Sequence, residues 1–125
     1  MQYTKGTIIV SENQRRDAAW HPIVYWKPDQ DPIFTGLVLT HSANFGNLPM
    51  KASYFEYDLG SGYSFDENHR TYLVKCLFMK PGDWGPYMSV GKLTEEGIRF
   101  AGHVVKGVEP IYWEDYLETM RKNHG

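Results

Sequence analysis

The sequence predicts a mainly β protein, a small, partly open β-barrel with C-terminal helices packed at one end. Three observations predict it. The chain has 125 residues, enough for one domain with its own core and too few for a full (β/α)8 barrel. Aromatics make up 15% of it, as 9 Tyr, 6 Phe and 4 Trp, and aromatic and β-branched residues favour strands. Short apolar runs punctuated by turn residues fill the first two-thirds, and helical spacing enters only near the C-terminus. Strands first and helices last fit a curled sheet closed off by helices. No repeat or linker divides residues 1–125, so a single domain is expected.

The elements follow in chain order. Gly6 opens Thr7-Ile8-Ile9-Val10, a β-branched first strand. Ser11 to Ala19 is polar and reads as a loop. His21-Pro22-Ile23-Val24-Tyr25-Trp26 is the second strand, its proline placed where no ladder N–H is needed. Lys27 to Pro32 is a turn. Phe34 to His41 is a third strand, continuously apolar through Leu37-Val38-Leu39 and so buried on both faces. Asn44 to Met50 is a loop, and Ala52 to Tyr57 alternates as a half-exposed strand that Gly60-Ser61-Gly62 breaks. Tyr72 to Met79 is the longest strand candidate, with Lys75 its single interrupting charge. Pro81 to Pro86 is a rigid loop, and Tyr87 to Leu93 holds a short strand. Thr94 caps a helix near 94–106, with Glu95 and Glu96 in its first turn and Gly107 as its stop. Pro110 opens a last helix near 110–123, with Trp113, Tyr116, Leu117 and Met120 on its apolar face.

Charge and cysteine usage narrow the function. Thirteen Lys and Arg against fifteen Asp and Glu give a formal charge of −2. Any nucleic-acid surface must therefore be a local patch. A single cysteine, Cys76, excludes an internal disulfide and a cysteine-built zinc cluster. It reads as a buried small hydrophobe rather than a reactive thiol. No apolar run approaches transmembrane length and the first residues lack a signal-peptide core, so a cytoplasmic protein without membrane contact is expected. Phosphate-loop, dinucleotide, zinc-protease and nucleophile-elbow motifs are absent. The five histidines form no pair at ligand spacing, so neither a metal nor another cofactor is expected.

One constellation stands out. His21 begins the second strand, and Thr40-His41-Ser42 ends the third. If these strands are antiparallel neighbours, both regions share one end of the barrel, with Arg15 and Arg16 in the loop just before His21. Two imidazoles, two hydroxyls and two guanidiniums suit metal-free RNA cleavage. One group removes the ribose 2′-OH proton, another protonates the leaving 5′ oxygen, and a cation offsets the phosphorane charge. An imidazole ordinarily titrates near pH 6.5 and serves either role. The plainer reading leaves these residues as strand ends and a solvated loop face. A second constellation is aromatic. Trp84 lies among glycines and prolines, with Tyr87 and Tyr63 as companions, and either packs under its own loop or anchors a partner.

The order of elements resembles the PemK/MazF-type toxins of toxin–antitoxin systems. The resemblance is carried by Lys5-Gly6-Thr7-Ile8-Ile9-Val10, a polar loop, His21-Pro22-Ile23-Val24-Tyr25, the strand end Leu39-Thr40-His41-Ser42, and Val90-Gly91-Lys92-Leu93-Thr94 before a helix. It covers about two-thirds of the chain, by pattern more than by identity. It implies an SH3-like barrel, often a homodimer, and a sequence-specific mRNA endoribonuclease neutralised by an antitoxin. Such toxins commonly carry an arginine beside the strand-opening proline and a Thr or Ser at the end of the next strand. Here His21 precedes the proline, and Thr40 or Ser42 fills the second role. Arg15, Arg16 or His21 itself is expected to stand in for that arginine. The expected site is thus His21, Thr40, His41 and Ser42 with Arg15 and Arg16, acting on single-stranded RNA without a cofactor. The alternative is a non-catalytic SH3-like barrel that binds a protein or nucleic acid through Trp84 and Tyr87.

Overall fold

Three β-branched and aromatic runs supply the first strands: β1 (Thr7–Ser11), β2 (Ile23–Pro28) and β3 (Phe34–Thr40). They belong to a computed structural model that describes residues 3–11, 22–28, 33–41, 46–57, 71–80, 87–112, 115, 116, 118 and 119. The remaining strands are β4 (Leu48–Pro49), β5 (Phe55–Tyr57), β6 (Tyr72–Leu73), β7 (Phe78–Lys80), β8 (Tyr87–Leu93) and β9 (Ile111–Tyr112). A helix, α1 (Glu95–Val104), joins them. The strand order is β4-β6-β3-β2-β1-β8-β5, with β7 beside β3 and β9 parallel to β7. The result is a mainly β fold, a curled, open half-barrel sheet with α1 against it.

Alternation sorts the side chains. Ile8, Val24, Leu37, Leu39, Leu73 and Val90 point inward and form the main core with Ala101 and Val105 of α1. On the outer face, Ile9, Ile23, Tyr25 and Phe34 make a second cluster with Tyr3 and Tyr87. Val38, Val74 and Phe78 make a third with Cys76, Ile111 and Tyr116. Phe34 through Leu39 are all buried, as a strand covered on both faces requires. Gly36 makes this possible on the outer face. It pairs with Tyr25, and a β-carbon there would stand 2.7 Å from Ile23 Cγ2 and 3.5 Å from the Phe34 ring. The missing side chain lets Tyr25 stack on Phe34, centroids 5.2 Å apart.

Chain length forces the curl. β4 and β5 lie at opposite borders of the seven-strand path. Only residues 50–54 join them. Seven flat strands would put their borders about 29 Å apart at ~4.8 Å per spacing. A fully extended link from Pro49 to Phe55 spans at most about 20 Å. Three of its residues, Ala52–Tyr54, form a 3₁₀ turn, which is shorter still. The borders therefore meet only if the sheet bends.

α1 docks on that turn. The Thr94 N–H donates to the Tyr54 carbonyl at 2.8 Å, and the Thr94 hydroxyl donates to the Ser53 carbonyl at 2.9 Å. The Thr94 oxygen also accepts from the Gly97 N–H at 3.2 Å, the expected N-cap bond. Glu95 and Glu96 occupy the first turn, where the helix dipole favours acids. The Tyr54 ring stacks on Phe100 at 4.9 Å. Gly107 follows the helix with φ +78°, and the Val108 N–H closes back on the Val105 carbonyl. At the other side of the helix, Ile98 rests on Gly6, whose φ is +94°. Gly6 bridges two strands, donating to Tyr25 and accepting from Leu93, each at 2.8 Å.

Several elements differ from their sequence-based assignment. Ala52–Tyr54 is a turn rather than strand, so Tyr54 and Phe55 are both buried instead of alternating. Leu48–Pro49 is strand where a loop was expected. Tyr72 to Met79 is not continuous. Leu39 pairs with Leu73 and Gly36 with Phe78, so the paired numbers sum to 112 and then to 114, a slip of two residues. Strict alternation would aim Lys75 inward beside Leu73. The slip leaves Lys75 exposed and returns Leu77 to the core, avoiding the cost of a buried unpaired ammonium. At the C-terminus, Ile111–Tyr112 is strand inside the span assigned to a helix from Pro110. Its amide explains why, because the Ile111 N–H donates to the Leu77 carbonyl at 2.9 Å. Asp115, Tyr116, Glu118 and Thr119 are helical, and the rest of 113–123 lies outside the described residues.

Two glycines of α1 separate packing from propensity. A β-carbon on Gly97 would stand 2.5 Å from the Tyr54 carbonyl oxygen, whereas one on Gly102 would meet Trp26 at an ordinary 3.9 Å. Gly102→Ala should stabilise the chain by about 0.5–1 kcal/mol through helix propensity. Gly97→Ala should destabilise it by about 1–3 kcal/mol through overpacking. Urea unfolding of both variants reads the difference, and equal shifts would contradict the docking geometry.

Candidate functional site

The register of β2 and β3 builds one rim of the half-barrel. Ile23 pairs with Val38, and the Leu39 N–H donates to the Pro22 carbonyl at 3.0 Å. The start of β2 and the end of β3 therefore share one end of the sheet, as the antiparallel reading requires. Thr40 is the last residue of β3 and is half-buried. His41 follows at a bend and is exposed. His21 is one peptide bond before Pro22, and Ser42 is one after His41. His21, Ser42, Arg15, Arg16 and Trp84, together with Tyr63, lie outside the described residues.

Across the sheet, Thr40 faces Tyr72 of β6, and Tyr72 faces Pro49 of β4. Directly opposed residues project to the same face, about 4.5–5.5 Å apart at Cβ. Leu39 and Leu73 point inward in the preceding pair. Thr40, Tyr72 and Pro49 therefore form a row on the outer face, one step beyond Val38 and Val74. The sequence reading did not place Tyr72 and Pro49 beside Thr40. Tyr72 was legible as a strand aromatic, but its partner is set by long-range pairing.

Tyr87 has a structural position. It opens β8, half-buried, with its ring edge-on to Phe34 at 5.6 Å. The Tyr3 hydroxyl donates to its carbonyl at 3.4 Å. It thus helps cover the outer face of β1 to β3.

Cys76 sits in the break between β6 and β7 rather than inside a strand, half-buried, with its N–H donating to the Val74 carbonyl at 2.8 Å. Burial pushes its thiol pKa up. The Tyr116 hydroxyl is also pushed up, first by burial and then by the repulsion of a Cys76 thiolate. Tyr116 packs edge-on to Phe78 at 5.0 Å on the same patch. A raised thiol pKa lowers the thiolate fraction, which is the opposite of an activated nucleophile. Among the described residues, no three His, Cys, Asp or Glu side chains converge on a metal-sized site. Nor, among them, is any helix long and apolar enough to cross a membrane.

Comparison of the chain with protein-family models, curated proteins and solved structures finds no match. The rim is therefore interpreted from its own chemistry.

The Cys76 environment makes a pH prediction. Folding disfavours both anions, so the folded chain holds its protons to higher pH than the unfolded chain does. Their stabilising effect is complete below the unfolded pKa values and is lost as pH rises through the folded ones. Urea midpoints should fall as pH rises past the ordinary thiol range, and Cys76→Ala should flatten the early part of that decline. Iodoacetamide should label native Cys76 more slowly than the urea-unfolded chain at pH 8. Equal rates would contradict a half-buried thiol whose pKa is raised.

Proposed function

We propose that this chain is a metal-independent RNA endonuclease of the PemK/MazF type, with its half-barrel as an SH3-like barrel. One observation carries the reading. The Leu39 to Pro22 hydrogen bond holds the end of β3, with Thr40 and His41, beside the segment that His21 enters. The reading is supported by the position of half-buried Thr40 and exposed His41 at this end of the sheet, with Ser42 next in the chain and Arg15 and Arg16 before His21 in sequence.

Each group has a role that balances. One imidazole, of His21 or His41, takes the proton from a ribose 2′-OH. The 2′ oxygen forms a bond to phosphorus. The bond from phosphorus to the 5′ oxygen breaks, and the other imidazole gives that oxygen a proton. The products are a 2′,3′-cyclic phosphate and a 5′-hydroxyl. Thr40 and Ser42 donate hydrogen bonds to the non-bridging oxygens, and Arg15 or Arg16 supplies the cation that offsets the phosphorane charge. Requiring a free 2′-OH and an in-line geometry, the reaction selects single-stranded RNA. A cytoplasmic address, a homodimer and an antitoxin partner accompany this reading.

Purified chain incubated with mixed RNA in EDTA should release fragments ending in 2′,3′-cyclic phosphate. His21→Ala and His41→Ala should each slow cleavage by about 10²–10⁴-fold, the usual worth of a general acid or base. His41 is exposed, so His41→Ala should shift thermal unfolding far less than it slows cleavage. No cleavage by the wild type, or equal cleavage by both variants, would sink the proposal and favour a binding module.

A further inference from the structure

The cross-strand row beside the rim holds an aromatic ring, Tyr72, that stacks on no other aromatic ring among the described residues. Tyr3, Tyr25, Tyr54, Tyr87 and Tyr116 each set their ring against another aromatic ring, at centroid distances between 4.9 and 6.0 Å. Among the described residues, Tyr72 and Tyr112 have no such ring contact. Tyr112 lies on β9, paired with β7 at the far end of β3 from Thr40. Tyr72 lies directly opposite Thr40.

Its surroundings shape a platform. Val38 and Val74, the pair before it on the same face, are buried under the cluster that includes Ile111 and Tyr116. One step on, the cover thins and Tyr72 is half-buried. Pro49 flanks it on the side away from Thr40 and is exposed. β6 is only two residues long, yet it is hydrogen-bonded between β3 and β4, so the backbone under Tyr72 is held from both sides. A flat ring on a fixed backbone, flanked by a hydroxyl residue and a rigid ring, suits stacking with a planar heterocycle.

We infer that Tyr72 stacks a base of single-stranded RNA next to the phosphate held at Thr40. This rests on the RNA-cleaving reading of the rim and adds a substrate-positioning residue to it. The pairing sets Thr40 and Tyr72 side by side on one face, about 5 Å apart at Cβ, so a nucleotide whose phosphate meets Thr40 has its base within reach of the Tyr72 ring. The base must be unpaired to present that face, so duplex RNA is excluded by the same contact. Stacking accepts any base, and the platform sets where the strand lies rather than which sequence is read.

The test measures binding apart from cleavage. A fluorescein-labelled 2′-O-methyl RNA strand cannot be cleaved, since it lacks the attacking hydroxyl, and its anisotropy reports affinity for the intact chain. Tyr72→Phe keeps the ring and should bind like wild type. Tyr72→Leu keeps apolar bulk without a π-face and should bind about 5- to 150-fold more weakly, while the chain stays folded with only a small shift in its unfolding midpoint. With cleavable RNA, KM should rise while kcat holds. Equal binding by wild type and Tyr72→Leu would overturn the platform even if RNA is cleaved. Loss in Tyr72→Phe as well would assign the effect to the hydroxyl and overturn stacking. Ring-dependent binding without any cleavage would support the platform and remove the nuclease reading. Absence of binding by wild type would overturn both.

Discussion

Five residues decide the shape of this protein. Met50 to Tyr54 must connect β4 at one border of the sheet to β5 at the other. A link of that length cannot cross a flat seven-strand sheet. The borders approach because covalent reach demands it, and the apolar inward face makes the approach favourable. Burial of Ile8, Val24, Leu37, Leu39 and Leu73 against α1 is the return on that bend. The strap is also where the helix is fastened. Thr94 bonds to Ser53 and Tyr54, and Gly97 lets the helix come close enough to do so. Closure of the sheet and docking of the helix are therefore one event.

The rim follows from the same constraint. β4 stands beside β6 because the strap starts there, with the Met50 N–H donating to the Thr71 carbonyl at 2.9 Å. β6 in turn stands beside the end of β3. The row Thr40, Tyr72, Pro49 is thus assembled by three segments far apart in sequence, and its order is set by the curl. The outer face needs its own cover at each end. Tyr3 and Tyr87 supply it over Tyr25 and Phe34, and Ile111 and Tyr116 supply it over Val38 and Phe78. Among the described residues, Tyr3, Tyr25, Phe34, Phe78, Tyr87 and Tyr116 serve this outer cover.

What could be read from the sequence is what local chemistry decides. β1 and β3 announce themselves as β-branched and continuous apolar runs, and α1 by Thr94, its two following glutamates and Gly107. The end of β3 was legible for the same reason, and with it Thr40 and His41. The misreadings share one cause. Ala52 to Tyr54 alternates like a strand, but Tyr54 has to offer its carbonyl to the helix cap. Tyr72 to Met79 reads as one strand, but Lys75 cannot face the core, so the chain slips two residues against β3. Pro110 looks like a helix opener, but Ile111 finds a carbonyl on Leu77. Each outcome depends on a partner distant in sequence, which periodicity does not carry. Tyr72 was hidden for that reason as well. The expectations at His21, Ser42, Arg15, Arg16 and Trp84 rest on sequence alone, outside the described residues.

Lengthening the strap tests this account at its root. Four Gly/Ser residues inserted between Met50 and Lys51 leave every core side chain in place. An ordinary five-residue surface loop extended to nine would lose only about 0.5 kcal/mol of closure entropy. If the strap holds the curl and seats the helix, urea unfolding should show a loss of at least about 2 kcal/mol, comparable to losing a helix cap together with its packing. Protection of the Thr94 amide against hydrogen exchange should fall with it. A loss near 0.5 kcal/mol with Thr94 protection unchanged would contradict the account, because the sheet would then curl without its strap.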